Sequence, residues 1–178
     1  MRTSRWGLAV VACGAIATLA WSAEPATDSS ESTGKRPVAA MSVDEARRQA
    51  ATLHTVLHAS LQRVHDGYFE EDTGLPIPAA VLRDVFDELK QDQNIVARWL
   101  VVEGQAMNVD HKASTPFEKE AARVLLAGEP AHEEVVDGIY RRAAPIRLRN
   151  HCLKCHVPNR KSTRDHTAGL MIAIPISE

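Results

Sequence analysis

Residues 139–156 read IYRRAAPIRLRNHCLKCH, a predicted strand that runs directly into two cysteines and a histidine. The last five residues have the spacing Cys-x-x-Cys-His, with the cysteines at positions 152 and 155. Three kinds of site use two thiols at this spacing: a covalently attached haem, part of a zinc site and a redox-active disulfide. Other features of the chain distinguish between these three.

The amino-terminal segment MRTSRWGLAVVACGAIATLAWSAEP predicts export from the cytoplasm. Arg2 and Arg5 give it a positive start, an uncharged run extends over residues 6–23, and small residues near its end offer a cleavage site. This combination is typical of a secretory signal peptide. We expect cleavage after Ser22 and a periplasmic mature chain.

Two alternatives for this segment stay open. Cys13 follows Val-Val-Ala in a sequence that resembles a lipoprotein box, although the apolar run continues past it. The segment could also remain as an uncleaved membrane anchor, because its apolar length is at the lower end of the ~17–25 residues that span a bilayer. With Cys13 in the leader, the mature chain keeps only the two cysteines of the motif.

Composition and charge narrow the class of protein. A chain of 178 residues with 44% apolar residues suits one domain with dispensable ends. The formal charge is −2 and no basic face is evident, which argues against a nucleic-acid partner. We expect a signal peptide over 1–22, a linker rich in Ser, Thr and Pro over 23–41, and one domain over 42–178.

The first predicted helix carries an unusual set of histidines. Ser42 and Glu45 form a capping box, and apolar residues at helical spacing continue to about residue 68. Three imidazoles then fall within roughly 40° of one another on the helix surface, beside the apolar face. They belong to His54, His58 and His65.

The remaining elements predict an α+β fold. Residues 79–93 have helical periodicity, and NIVARWLVVE at 94–103 predicts a short buried strand. Residues 115–118, Thr-Pro-Phe-Glu, form a second capping box with proline at the first helical position. Asp137-Gly138 predicts a tight hairpin, and GLMIAIPI at 169–176 predicts a closing strand. Helices that lead into an antiparallel sheet are typical of α+β domains.

The motif is best explained by haem. Cys-x-x-Cys-His is the attachment signature of c-type haem, with the histidine as an axial iron ligand. Export agrees, because c-type cytochromes mature outside the cytoplasm. Zinc held by Cys152, Cys155, His156 and a remote histidine is a weaker alternative, because the chain has no second cysteine pair. A redox disulfide normally lies in a βαβ frame, which this order of elements lacks. We expect one covalent haem c.

A single haem needs a second axial ligand or an open face. We expect the ligand from the first helix, in the order His65, His58, His54, because imidazoles beside an apolar face are costly to bury unpaired. Ordinary surface histidines are the competing interpretation. Arg147 and Arg149 suit the haem propionates, although solvent exposure explains them equally well. Further candidate ligands are Met41, Met107 and Met171. Histidines in loop-like surroundings rank lower: His111, His132, His151 and His166.

Three stretches resemble a family of single-haem c-type domains with a PAS-like fold, found as exported stand-alone proteins and as sensor domains. They are NVDHKASTPFEKEA at 108–121, IYRRAAPIRLRNHCLKCH at 139–156 and AGLMIAIPI at 168–176. The resemblance covers about residues 43–176. It implies a PAS-like antiparallel sheet with the haem packed against N-terminal helices. A characterised type in this family uses a helical cysteine as the distal ligand, and the mature chain has no such cysteine, so that ligand is not transferable.

The sequence therefore predicts an exported mono-haem c-type protein that acts in electron transfer or in redox or gas sensing. Histidine at both axial positions would give low-spin iron without a free site, which favours electron transfer to a redox partner protein. Sensing would require a separate signalling protein. The alternatives are a haem peroxidase or reductase with an open distal face, and a zinc-binding adaptor without haem.

Overall fold

The computed structural model describes residues 41–70, 73–157 and 159–177, so the predicted signal peptide and nearly all of the predicted linker lie outside it. The described residues confirm the predicted α+β class. None of the described helices is long and apolar enough to cross a membrane. The elements in chain order are α1 (Val43–Tyr68), α2 (Pro78–Gln93), β1 (Val96–Val101), a 3-10 turn (Val109–His111), α3 (Pro116–Leu126), β2 (His132–Val136), β3 (Ile139–Leu148), α4 (Asn150–His156) and β4 (His166–Pro175).

The described strands form one antiparallel sheet in the order β1-β4-β3-β2. The predicted hairpin at Asp137-Gly138 joins β2 to β3. Its two residues have φ angles of 52° and 66°. Positive φ at both central positions gives a turn whose twist matches the strands that it joins. The long strands β3 and β4 lie at the centre, so both faces of the sheet need covering.

Helices cover the two faces of the sheet. Leu170 and Ile172 of β4 point towards α1 and α2, whereas Met171 between them packs against α3 on the opposite face. Ala46 and Ala50 of α1 are fully buried, and their small side chains allow the helix backbone to approach the sheet.

Helix α1 also completes an edge of the sheet. Strand β2 pairs with β3 only over residues 139–143, which leaves the second half of β3 without a strand neighbour on that side among the described residues. Nε2 of His54 lies 3.1 Å from the carbonyl oxygen of Pro145, and Gln62 donates its amide N–H to the carbonyl of Arg147 at 2.9 Å. A proline suits this edge because it has no N–H to leave unpaired.

Glu118 anchors the start of α3. Its buried carboxylate accepts hydrogen bonds from the backbone N–H and hydroxyl of Ser114 and from the backbone N–H of Thr115, and it pairs with Arg98 of β1. Arg98 also donates to the carbonyl of Asp110. Burial raises the pKa of Glu118, but the hydrogen bonds and Arg98 outweigh burial and hold the pKa below its ordinary value. This network therefore fixes a loop, a strand and a helix together.

The substitution Glu118→Gln should lower the free energy of unfolding by about 2 kcal/mol, because charge-assisted hydrogen bonds are lost and Arg98 loses its partner. A carboxyl with a lowered folded pKa stabilises the fold above its unfolded pKa and loses that effect as the pH falls through the folded pKa. The difference between the two proteins should therefore shrink below about pH 4.5, the ordinary pKa. Urea denaturation at pH 7 and at acid pH measures both effects.

Glu45→Gln is the matched control, because Glu45 occupies the same position in the solvent-exposed capping box of α1. Its loss of stability should be clearly smaller. Equal losses in the two variants would contradict the role given to burial and to Arg98.

Candidate functional site

The Cys-x-x-Cys-His motif lies on the short helix α4, between the two central strands. The helix begins where the backbone N–H groups of Cys152 and Leu153 donate to the carbonyl of Arg149. Leu153 is fully buried and packs with Leu148 at the end of β3. This anchor leaves Cys152 buried and Cys155 exposed, both as free thiols. Burial raises the pKa of the Cys152 thiol.

The two thiols and the imidazole of His156 line the same cavity, which has a volume of about 60 Å³. Its walls are apolar side chains from α1, the start of α2 and β3. They are Leu61, Phe69, Ile77, Ala79, Ile146 and Leu148. Leu61 also lines two neighbouring spaces: a second cavity of about 80 Å³ against β1 and β4, and an apolar groove of about 300 Å³ between α1 and α2. The motif therefore opens into a larger apolar cleft.

His156 lies where the first two cavities meet. Burial lowers its pKa, and the neighbouring imidazoles of His111 and His65 lower it further. The lowered pKa favours the neutral ring, which has one nitrogen available to bind a metal ion.

The structure brings one of the three predicted helix histidines to the motif. His65 lines the same cavity as both cysteines and His156. His54 and His58 line a different, polar cavity between α1, the open edge of β3 and the end of α3. Three histidines at one angle around a helix are still separated along it: at 1.5 Å per residue, His65 is about 16 Å beyond His54.

His54 and His58 form a pair of their own, with ring centroids 5.6 Å apart. Nε2 of His54 must donate to Pro145, because a carbonyl oxygen can only accept. Burial lowers the pKa of both imidazoles. The neighbouring His58 ring lowers the pKa of His54 further, and the guanidinium groups of Arg149 and Arg147 lower the pKa of His58 further. His54 therefore contributes a backbone contact that sequence spacing did not indicate.

Two residues of the loop between β1 and α3 also reach the cleft. His111 lines the second cavity together with His156, and Met107 lines both cavities. His111 ranks low as a ligand from the sequence alone, because its loop-like surroundings have no periodicity that would orient its side chain. Of the other methionines, Met171 packs towards α3 and Met41 lies at the edge of the main core, and neither lines the cavities at the motif.

The two predicted arginines bind protein carboxylates. Arg147 lies 3.6 Å from a carboxylate oxygen of Asp165 and lines the polar cavity with His58. Arg149 lies 3.4 Å from Oδ2 of Asp66. Neither lines the cavity that contains the two thiols.

A second group of potential metal ligands borders the motif. One ligand atom each of His65, Asp66 and His151 lies within 4.8 Å of the others, and this is the one such group of three among the residues that the structure describes. Nε2 of His151 lies 3.0 Å from Oδ1 of Asp66. Cys152, Cys155 and His156, the ligands of the zinc alternative, are not part of this group.

The residues of the cleft fit a haem c in their chemistry. Two thiols one helical turn apart can form the two thioethers, a neutral imidazole follows on the same helix, and apolar walls suit a porphyrin ring. A second imidazole, His65, lies in the same cavity.

Comparison with known proteins agrees with the family resemblance. The family model for Tll0287-like proteins matches residues 38–170. Among solved structures, the chain is similar to the cyanobacterial haem protein Tll0287, with a TM-score of 0.55 and 12% sequence identity over 75% of this chain and 97% of that chain. At this identity the structural match supports the fold alone. No curated protein matches the chain. The family match covers well over half of the sequence, and the chain belongs to the Tll0287-like family.

Proposed function

We propose that this chain is an exported mono-haem c-type protein that carries electrons in the periplasm. The observation that supports this most directly is the convergence of Cys152, Cys155 and His156 on one apolar cavity. Cys152 and Cys155 would anchor the haem through thioethers, and His156 would bind the iron. The structural similarity to a solved haem protein adds support.

The chain's own residues would exclude water from the cofactor and hold it in one orientation. Haem c, when bound, supplies an iron centre that exchanges one electron. The apolar walls from α1, α2 and β3 exclude water from it. Leu153, buried beneath α4, holds the helix and hence His156 in a fixed position. The sheet is PAS-like in this proposal, and α1 and α2 close the cleft above it.

We assign the distal ligand to His65. Among the predicted helix histidines, it alone shares the cavity of the motif. A ligand from α1 is also held by a long helix that packs on the core and on the edge of β3. His111 and Met107, which also line the cleft, are the alternatives.

If His156 and His65 both held the haem iron, the site would favour electron transfer over catalysis, because these two side chains would leave no place on the iron for a substrate. Cys155, which would hold the haem, is exposed, so a redox partner protein could approach that side of the site. Sensing through a separate signalling protein is the second possibility, and it would need a distal ligand that can be displaced.

Replacing His65 by alanine should convert a low-spin haem spectrum into a high-spin one, because a distal ligand would be lost. Absorption and electron paramagnetic resonance spectra of protein purified from a maturation-competent host measure this. His58→Ala is the matched control, because His58 lies on the same face of α1 two turns away and lines the polar cavity; this variant should leave the spectrum unchanged. A spectrum that responds to His111→Ala or Met107→Ala instead of His65→Ala would contradict our assignment.

Replacing both Cys152 and Cys155 by serine should remove covalent haem, because no thiol remains to form a thioether. Acidified solvent should then extract all pigment, and the intact mass should match the bare polypeptide. Each single replacement retains one thiol and should retain covalent pigment. Covalent haem in the double variant, or a colourless unsubstituted protein, would exclude the proposed attachment.

A further inference from the structure

His65, Asp66 and His151 lie at the point where the end of α1 meets the start of α4. The group combines two imidazoles with one carboxylate, and its three ligand atoms are within 4.8 Å of one another. His65 and His151 have ring centroids 4.8 Å apart. The side chains of Asp66 and His151 are each 34% exposed, so the group lies near the protein surface.

One atom in this group lacks the hydrogen bond that a buried polar atom normally makes. Nε2 of His151 is shielded from solvent and makes no hydrogen bond of normal geometry, although Oδ1 of Asp66 is only 3.0 Å away. Buried ring nitrogens are normally paired, and an ion is one of the standard explanations for an exception. The position of this nitrogen beside a carboxylate and a second imidazole is that of a metal ligand.

We propose that His65, Asp66 and His151 form a binding site for a divalent transition-metal ion such as Zn²⁺. Two imidazoles, one carboxylate and a water molecule make a tetrahedral set that zinc accepts. Arg149, 3.4 Å from Oδ2 of Asp66, orients the carboxylate so that Oδ1 faces the two rings. The side chain of Arg149 is 48% exposed, so solvent screens its repulsion of a cation.

The site competes with the distal role of His65, and this step rests on the proposed function. A neutral imidazole has one lone pair, so His65 can bind the iron or the second metal ion but not both. A metal ion bound here would also join the end of α1 to the start of α4. All three metal ligands are therefore in place before haem is attached, and the site loses one of them when His65 binds the iron.

Zinc titration of the full chain by calorimetry tests the site. The haem-free chain should carry Cys152→Ser and Cys155→Ser, so that no thiolate binds the probe. We expect one Zn²⁺ per chain, and at least ~10-fold weaker binding in Asp66→Asn and in His151→Ala, since each removes one ligand. His58→Ala, on the same helix but in another cavity, should bind as before. Absent binding, or binding that Asp66→Asn and His151→Ala leave unchanged, would overturn the proposal.

A second measurement covers the case in which the serine variant does not fold. The unsubstituted haem-free chain is titrated with Co²⁺, whose spectrum distinguishes thiolate from imidazole and carboxylate ligands. Bands of imidazole and carboxylate ligation that disappear in Asp66→Asn support the site. A spectrum that shows only thiolate ligation and is insensitive to Asp66→Asn excludes it.

The haem-loaded chain separates this inference from the proposed function. There we expect at least ~10-fold weaker Zn²⁺ binding than in the haem-free chain, because His65 is on the iron. Equally tight binding that still depends on Asp66 would support the metal site and exclude His65 as the iron ligand. A colourless protein with Asp66-dependent binding would retain the metal site and remove the haem proposal.

Discussion

The arrangement of the site depends on the second half of β3, which pairs with β4 on one side and with no described strand on the other. Strand β2 pairs with β3 only as far as residue 143. Without another donor, the carbonyls of Pro145 and Arg147 would face solvent or be buried without a hydrogen bond. His54 and Gln62 of α1 supply the donors that a strand would have supplied. Because β3 leads directly into the helix that carries the motif, these contacts also fix α1 relative to that helix.

The cleft forms where segments far apart in sequence meet. Residue 65 and residue 156 line one cavity because the end of α1 lies beside the end of β3, where Gln62 donates to the carbonyl of Arg147. The apolar walls come from three separate elements, and none of them is a continuous apolar surface by itself. The same arrangement explains why Asp66 contacts both Arg149 and His151, because the end of α1 lies against the start of α4.

Local signals predicted most of the fold. Both capping boxes, the Asp137-Gly138 hairpin and the closing strand are specified by residues within a few positions of one another, and the structure has all of them. The convergence of the motif and one α1 histidine was also accessible, since both carry strong signals. Angular spacing did not distinguish the three histidines by their position along the helix. His54 and His58 share an angle with His65 but lie about 16 Å and 10 Å away from it along the axis. The reach of His111 into the cleft depends on tertiary contacts, which have no sequence period.

The two sides of the cleft are held in different ways, and this difference affects how firmly each side can position a ligand. On one side, α1 is a helix of 26 residues packed on the sheet and tied to the edge of β3. On the other side, the loop with His111 depends on Arg98, which the buried Glu118 holds in place. A ligand on a packed helix keeps its geometry better than one on a loop. If the chain binds haem as proposed, α1 is therefore better placed than the loop to hold an iron ligand in a fixed position.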